Sequence, residues 1–378
     1  MRVSLLQENL ARGLAIASRA ISTRPTLPIL SNVLLTAADG RLTLAATNLE
    51  LSVVARVGAK VDEDGAITIP CRLFQDFVNM LPPERVDLVL DTKTNKLNVR
   101  CGDGVSININ GLTADDYPQV PAANGDEGIA VPAQAFNEMI GHVVFAAARE
   151  DNRPVLTGIM MRFDGATLTM AASDGYRLML RTIELDEAVS SVQTLVVPAR
   201  TLSELSRMIG SEETTVRIIL RPENSQIMFH VDKLDLTTQL IEGTYPSVEQ
   251  IIPKNHTTLT MINTQDLLRA CKRAEVFARD EQYTMRLKVT PGESTLASGV
   301  LMLNSQSKEV GDSENKLEVK VSGQPVEIAF NVHFLIEALN VIKEEQVVLE
   351  TTDSAKPGVL RPLERQDFTH VIMPMQLR

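Results

Sequence analysis

Two periods of hydrophobicity alternate along this chain, and the alternation itself recurs. Leu10, Leu14, Ala17 and Ile21 fall at helical spacing, as do Leu73, Phe77, Val78 and Leu81. This spacing predicts helices over 7–21 and 70–81, and the same pattern returns over 132–149, 198–209, 264–279 and 331–343. Pro70, Pro132 and Pro198 suit a first helical turn, where a missing N–H costs nothing. Between the helices the period shortens to two and β-branched residues accumulate. Leu42-Thr43-Leu44, Leu51 to Val57 and Val105-Ser106-Ile107-Asn108-Ile109 read as strands broken by Asp-Gly or Gly turns.

The order helix, strands, helix, strands repeats along the chain, and so do short stretches of letters. Arg24-Pro25-Thr26-Leu27 pairs with Arg153-Pro154-Val155-Leu156, 129 residues on, and Asp39-Gly40 with Asp164-Gly165, 125 on. A hairpin four residues longer in the first copy would reconcile the two offsets. Pro70 matches Pro198 and Tyr117-Pro118 matches Tyr245-Pro246, both 128 apart. A third copy beginning near Thr257 keeps the element order with fewer shared letters. The expected fold class is α+β: three repeated domains, each with two helices covering one face of an antiparallel sheet. Loops rich in Pro, Asn, Asp and Gly put the domains at 1–122, 123–252 and 253–378.

A length of 378 residues agrees with more than one core. No apolar run approaches the roughly 20 residues needed to cross a membrane, and the N-terminus lacks a signal-peptide pattern, so a cytoplasmic protein without a membrane role is expected. Three scattered cysteines and five scattered histidines offer neither a disulfide framework nor zinc spacing. No metal or other cofactor is expected. A net charge of −11 argues against wrapping nucleic acid with the whole surface, but leaves room for a local positive face. The chain contains no nucleophile elbow, phosphate loop, His-Glu-x-x-His or dinucleotide fingerprint, so catalysis is not expected. A repeat hydrolase, the rival class, would need clustered carboxylates facing a cleft. None recur at matching places in the copies.

Four stretches together resemble the bacterial DNA polymerase III beta subunit (sliding clamp) family along the full chain. They are Arg24 to Leu30, Arg153 to Gly158, Ser173-Asp174-Gly175-Tyr176-Arg177-Leu178, and the tail Val371-Ile372-Met373-Pro374-Met375-Gln376-Leu377. The resemblance implies the DNA clamp fold, with two crescents of three domains closing head-to-tail into a homodimeric ring. Its helices would line the hole, and its function would be to hold replicative and repair polymerases on double-stranded DNA without sequence preference. The implied partners are the polymerase III catalytic subunit, clamp-loader subunits, and other polymerases or repair proteins that dock through short peptides.

On that resemblance Arg24 is the foremost DNA-contacting residue, followed by Arg153 and Arg149. Arg72, Arg200, Arg207, Arg269, Lys272 and Arg273 join them on the helices. The peptide groove between the second and third domains would be built from Leu156, Ser173, Gly175, Tyr176, Arg177 and Leu178. Pro246, Ile251 and Pro357 would add to it, with Val371, Met373, Pro374 and Met375 from the tail. An apolar floor with a few polar hooks suits a short peptide, and methionines adapt to related ligands. Ile107 and Ile109 at one end, with Val276 and Phe277 at the other, would close the dimer. Where the family often carries aromatic residues this chain has Pro154 and Val155, and Gln376 stands where Arg is common.

Overall fold

A computed structural model describes residues 1–22, 25, 27–102, 104–123, 127–150, 152–209, 215–221, 225–293 and 297–376. All six expected helices form: α1 Gln7–Ala17, α2 Cys71–Asn79, α3 Ala133–Val143, α4 Ala199–Met208, and, after a four-residue helix α5 Val248–Ile251, α6 Thr264–Ala278 and α7 Val332–Val341. Short 3₁₀ turns at Ser18–Ala20, Val144–Ala146 and Arg279–Glu281 take up the last expected residues of α1, α3 and α6. The side chains of Asn263 and Asn331 cap α6 and α7 by accepting from N–H groups of their first turns.

Three expectations need correction. Pro70, Pro132 and Pro198 close strands rather than open helices. The ψ of 110° at Pro70 is extended, so helical geometry begins one residue later, at Cys71. Second, α2 buries Cys71, Phe74 and Val78, while Leu73 is 55% exposed. The helix carries apolar residues on two faces, and spacing alone mixed them: Val78 and Leu81 are buried as expected, Phe77 is half-buried, and Phe74 takes the core place that Leu73 was given.

The third concerns the repeat register. The 3₁₀ turns Pro28–Ser31 and Pro154–Thr157 are followed by strands Asn32–Ala38 and Gly158–Asp164, then Arg41–Thr47 and Thr167–Ser173. Each pair is offset by 126 residues (28 to 154, 32 to 158, 41 to 167). Pro28, not Pro25, is therefore the counterpart of Pro154, and no longer hairpin is needed. Both prolines start their turn, where a preset φ is an advantage. The first copy has two prolines within four residues, and only the strand register tells them apart.

The chain packs as two compact units. One comprises Met1–Phe136 with Glu204–Leu240, the other Asn137–Ser203 with Ile241–Arg378. The first contains a five-stranded and an eight-stranded antiparallel sheet. In the eight-stranded sheet Leu51–Gly58 of the first copy pairs with Leu234–Gln239 of the second. The second unit has a twelve-stranded sheet, in which Arg177–Glu184 pairs with Phe368–Ile372. An arginine–aspartate pair staples each seam: Arg56 with Asp235, and Arg181 with Asp367.

Asp235 is wholly buried and also accepts from His230 Nδ1 at 2.6 Å and the Ala123 N–H at 3.0 Å. Burial opposes its charge, but hydrogen bonds from Arg56, His230 and Ala123 outweigh it and hold the carboxyl below its usual range. Cys71, Cys101 and Cys271 are all buried free thiols. Among the described residues no helix is long and apolar enough to cross a membrane, and no side-chain cluster suits a metal ion.

Candidate partner-binding site

In the second unit the strand Thr167–Ser173 turns sharply into Arg177–Glu184. Asp174 makes the turn by accepting from the N–H groups of Tyr176 (2.9 Å) and Arg177 (3.1 Å), and Ser173 Oγ accepts from Gly175 N–H. Gly175 has φ +91°, a conformation that side chains resist. A Cβ added there would also sit 3.3 Å from an Arg153 Nη. The first copy makes the same turn at Thr47-Asn48-Leu49-Glu50, with the same three hydrogen bonds. There Leu49 takes the left-handed position (φ +79°).

The turn leaves Tyr176 69% exposed and buries its neighbour Arg177. Arg177 Nε donates to Asp174 at 3.0 Å, Nη2 to the Phe145 carbonyl at 2.7 Å, and Nη1 to Glu337. Its guanidinium carbon lies 4.3 Å above the Phe334 ring and 5.4 Å from that of Phe145. Beside it opens a cavity of about 730 Å³, lined by Leu156, Gly175, Tyr176 and Arg177 and by Arg149 and Arg153 from the preceding loop. His333, Phe334 and Glu337 of α7 complete the wall.

Leu156 also belongs to an apolar cluster with Leu178, Val371, Tyr245 and Val359, against which Ile251 packs. The tail is tied to this region by its backbone. Met373 N–H donates to the Tyr176 carbonyl at 2.9 Å, and Met375 N–H to Ala329 at 2.8 Å. Met373 is 41% exposed, and Pro374 and Met375 are half-buried. Pro246 is exposed just after the buried Tyr245, and Pro357 is half-buried before the strand Gly358–Pro362. Thus the cavity gathers four of the groove residues expected from sequence, and the apolar cluster gathers Leu178, Val371 and Ile251 around Leu156. Two arginines assigned to DNA line the same cavity. Phe145, Phe334 and Glu337 were missed; nothing marks them in sequence, since they are ordinary helix or turn residues far along the chain.

Family models for the DNA polymerase III beta subunit match the chain three times. The N-terminal domain matches residues 1–121, the central domain 130–247 and the C-terminal domain 249–376. The chain belongs to this family. The beta sliding clamps of Synechococcus elongatus and Escherichia coli are 31% and 30% identical to it, over the full length of both chains. The solved DNA polymerase III subunit beta of Pseudomonas aeruginosa superposes with a TM-score of 0.92 at 28% identity, covering all of both chains. Membership of the DNA polymerase III beta family makes this α+β protein of three clamp domains a DNA replication factor of the sliding-clamp type. It is a processivity factor and not an enzyme.

The basic residues expected to face DNA differ in how they are held. Arg72 on α2, Arg200 on α4 and Lys272 on α6 are exposed with no ion-pair partner among the described residues. Arg207 is held by Glu204 at 2.7 Å and Arg269 by Asp266 at 2.5 Å, while Arg273 Nε donates to Asn315 at 2.6 Å. Arg149 and Arg153 are exposed, and Arg24 lies outside the described residues. Of the residues expected to close a dimer, Val276 is 56% exposed, and Phe277 and Ile107 are half-buried. Ile109 is only 5% exposed, because its side of the strand Val105–Asn110 faces the core. Leu73 on α2 is 55% exposed, about as much as Val276, and Met80 just after the helix, at 76%, is more exposed than any of these.

Proposed function

We propose that the cavity beside Tyr176 and Arg177 is where partner proteins dock a short peptide. The observation that carries this reading is a buried arginine, each guanidinium nitrogen hydrogen-bonded, at the edge of a roomy, partly apolar pocket beside a hydrogen-bonded turn. Such a pocket supplies apolar contact for anchor side chains and a few fixed polar groups for register. Met373 and Met375, strapped across the end of the same sheet, would adapt to several related peptides. The partners of this site are the polymerase III catalytic subunit, clamp-loader subunits, and other polymerases or repair proteins. A synthetic peptide bearing a clamp-binding motif should capture the intact chain but not one lacking residues 373–378. Equal capture of both would remove the tail from the site.

The chain closes with a second copy into the family's ring around duplex DNA and works in the cytoplasm. A ring traps DNA topologically, so it has no need to grip phosphates tightly. An overall charge of −11 with scattered exposed cations on α2, α4 and α6 suits weak, sequence-independent, sliding contact. The surface left for the second copy includes Leu73 of α2, Met80 just after it and Val276 of α6, exposed apolar residues that two-fold closure would cover. Light scattering should give twice the monomer mass for the native protein at micromolar concentration. Val276→Asp should lower it towards the monomer value. A strict native monomer would rule out the homodimer.

A further inference from the structure

The buried cation of the peptide site is held by a carboxylate from another part of the fold. We propose that Glu337 on α7 is the positioning residue of this site, acting on a bound peptide through Arg177 and Arg149. The proposal rests on the peptide-docking reading above and names the residue that sets its geometry.

Arg177 is satisfied from three directions: Asp174 within its own turn, the Phe145 carbonyl after α3, and Glu337 from α7. A guanidinium is a planar fork, so three partners on three elements fix both its place and its plane. Of these only Glu337 is remote, 160 residues away in sequence, and it ties α7 to the turn that carries Tyr176. Its second oxygen is shared. Arg149 Nη2 lies 3.5 Å from Oε1 and His333 Nε2 lies 3.7 Å from it. His333 is held on its other side by Glu275 of α6, at 3.0 Å from Nδ1.

The two arginines hold Glu337 with unequal strength. The Arg177 side chain is 5% exposed and cannot leave without stranding two carboxylates. The Arg149 side chain is 82% exposed, and its longer contact is of the kind that contributes little. Glu337 therefore anchors the cavity's fixed wall with one oxygen and leaves a movable arginine over the mouth with the other. Without its charge Arg177 keeps one carboxylate and is free to tilt, and Tyr176 and Gly175, joined to it through the turn, shift with it.

The test is affinity for a dye-labelled peptide bearing a clamp-binding motif, with the full chain. Glu337→Gln keeps the volume and removes the charge; binding should weaken about tenfold, mostly through faster dissociation. In an Arg177→Lys background, where the fork is already gone, Glu337→Gln should cost less than about twofold. A general folding role would cost the same in both backgrounds, and that result overturns the proposal. Unchanged affinity of Glu337→Gln overturns it as well. If Glu337→Gln does not fold, Glu337→Asp carries the test, with an intermediate loss expected and unchanged affinity overturning it. No binding by the native protein would overturn the peptide-docking reading itself, a result distinct from native binding that Glu337→Gln leaves untouched.

Discussion

Acidification below about pH 6 should destabilise this protein by up to about 1.4 kcal/mol per pH unit through His370 alone. His370 sits in the strand Phe368–Ile372 and is fully buried. Among the described residues neither ring nitrogen makes a well-formed hydrogen bond, and only the backbone of Phe334 and Leu178 stands near them. Burial, and then the nearby Arg177 charge, push its pKa down to about 3, while backbone groups of Phe334 and Leu178 only partly oppose the shift.

An unfolded histidine takes up its proton near pH 6.5, whereas the folded one stays neutral until far lower pH. Stability is therefore present in full above about pH 6.5 and falls as pH drops towards 3, because only the unfolded chain gains the proton. Between about pH 6.5 and 5 the loss should reach about 2 kcal/mol. Urea midpoints across that range check it. His370→Leu should flatten the slope, leaving the smaller contribution of His142, whose pKa burial also lowers. An unaltered slope in His370→Leu would refute the assignment. The same substitution should not weaken the protein at neutral pH, since it removes two core polar atoms that lack well-formed hydrogen bonds among the described residues.

Asp235→Ala should cost about 3–5 kcal/mol, the range for removing one partner of a buried ion pair. Its carboxylate joins the two copies' strands at the first seam and takes three donors, Arg56, His230 and the Ala123 N–H. Without it Arg56, only 18% exposed, has no anion among the described residues, and one of its Nη atoms already lacks a partner there. Asp235→Asn keeps the shape and one acceptor, so the loss should be smaller. The folded carboxyl titrates below its usual range, so its contribution is present above about pH 4 and is lost only below that. This window separates it from His370. Chemical denaturation followed by circular dichroism measures both variants, and a loss under about 1 kcal/mol for Asp235→Ala would mean that solvent reaches the seam.

What sequence alone could determine is what local periodicity encodes. Six helices, the strand runs between them and the repetition of the whole unit follow from spacing, because each element buries one face and its residues announce that face in order. The Ser173 to Leu178 turn is local in the same sense, since its chemistry is carried by consecutive residues whose side chains bond their own backbone. Where a residue had two local readings, spacing failed. Pro25 and Pro28 compete for one turn, Leu73 and Phe74 for one buried face, and a proline at a strand's end looks like one at a helix's start.

Only the tertiary structure could bring Phe145, Phe334 and Glu337 around Arg177, or set Asp235 against Arg56. It alone turned His370 into a neutral, acid-sensitive core residue. The ion pairs among these join residues 160 and 179 apart in sequence. Their energies arise from desolvation and from partners supplied by other elements, and neither is present in any local stretch of chain.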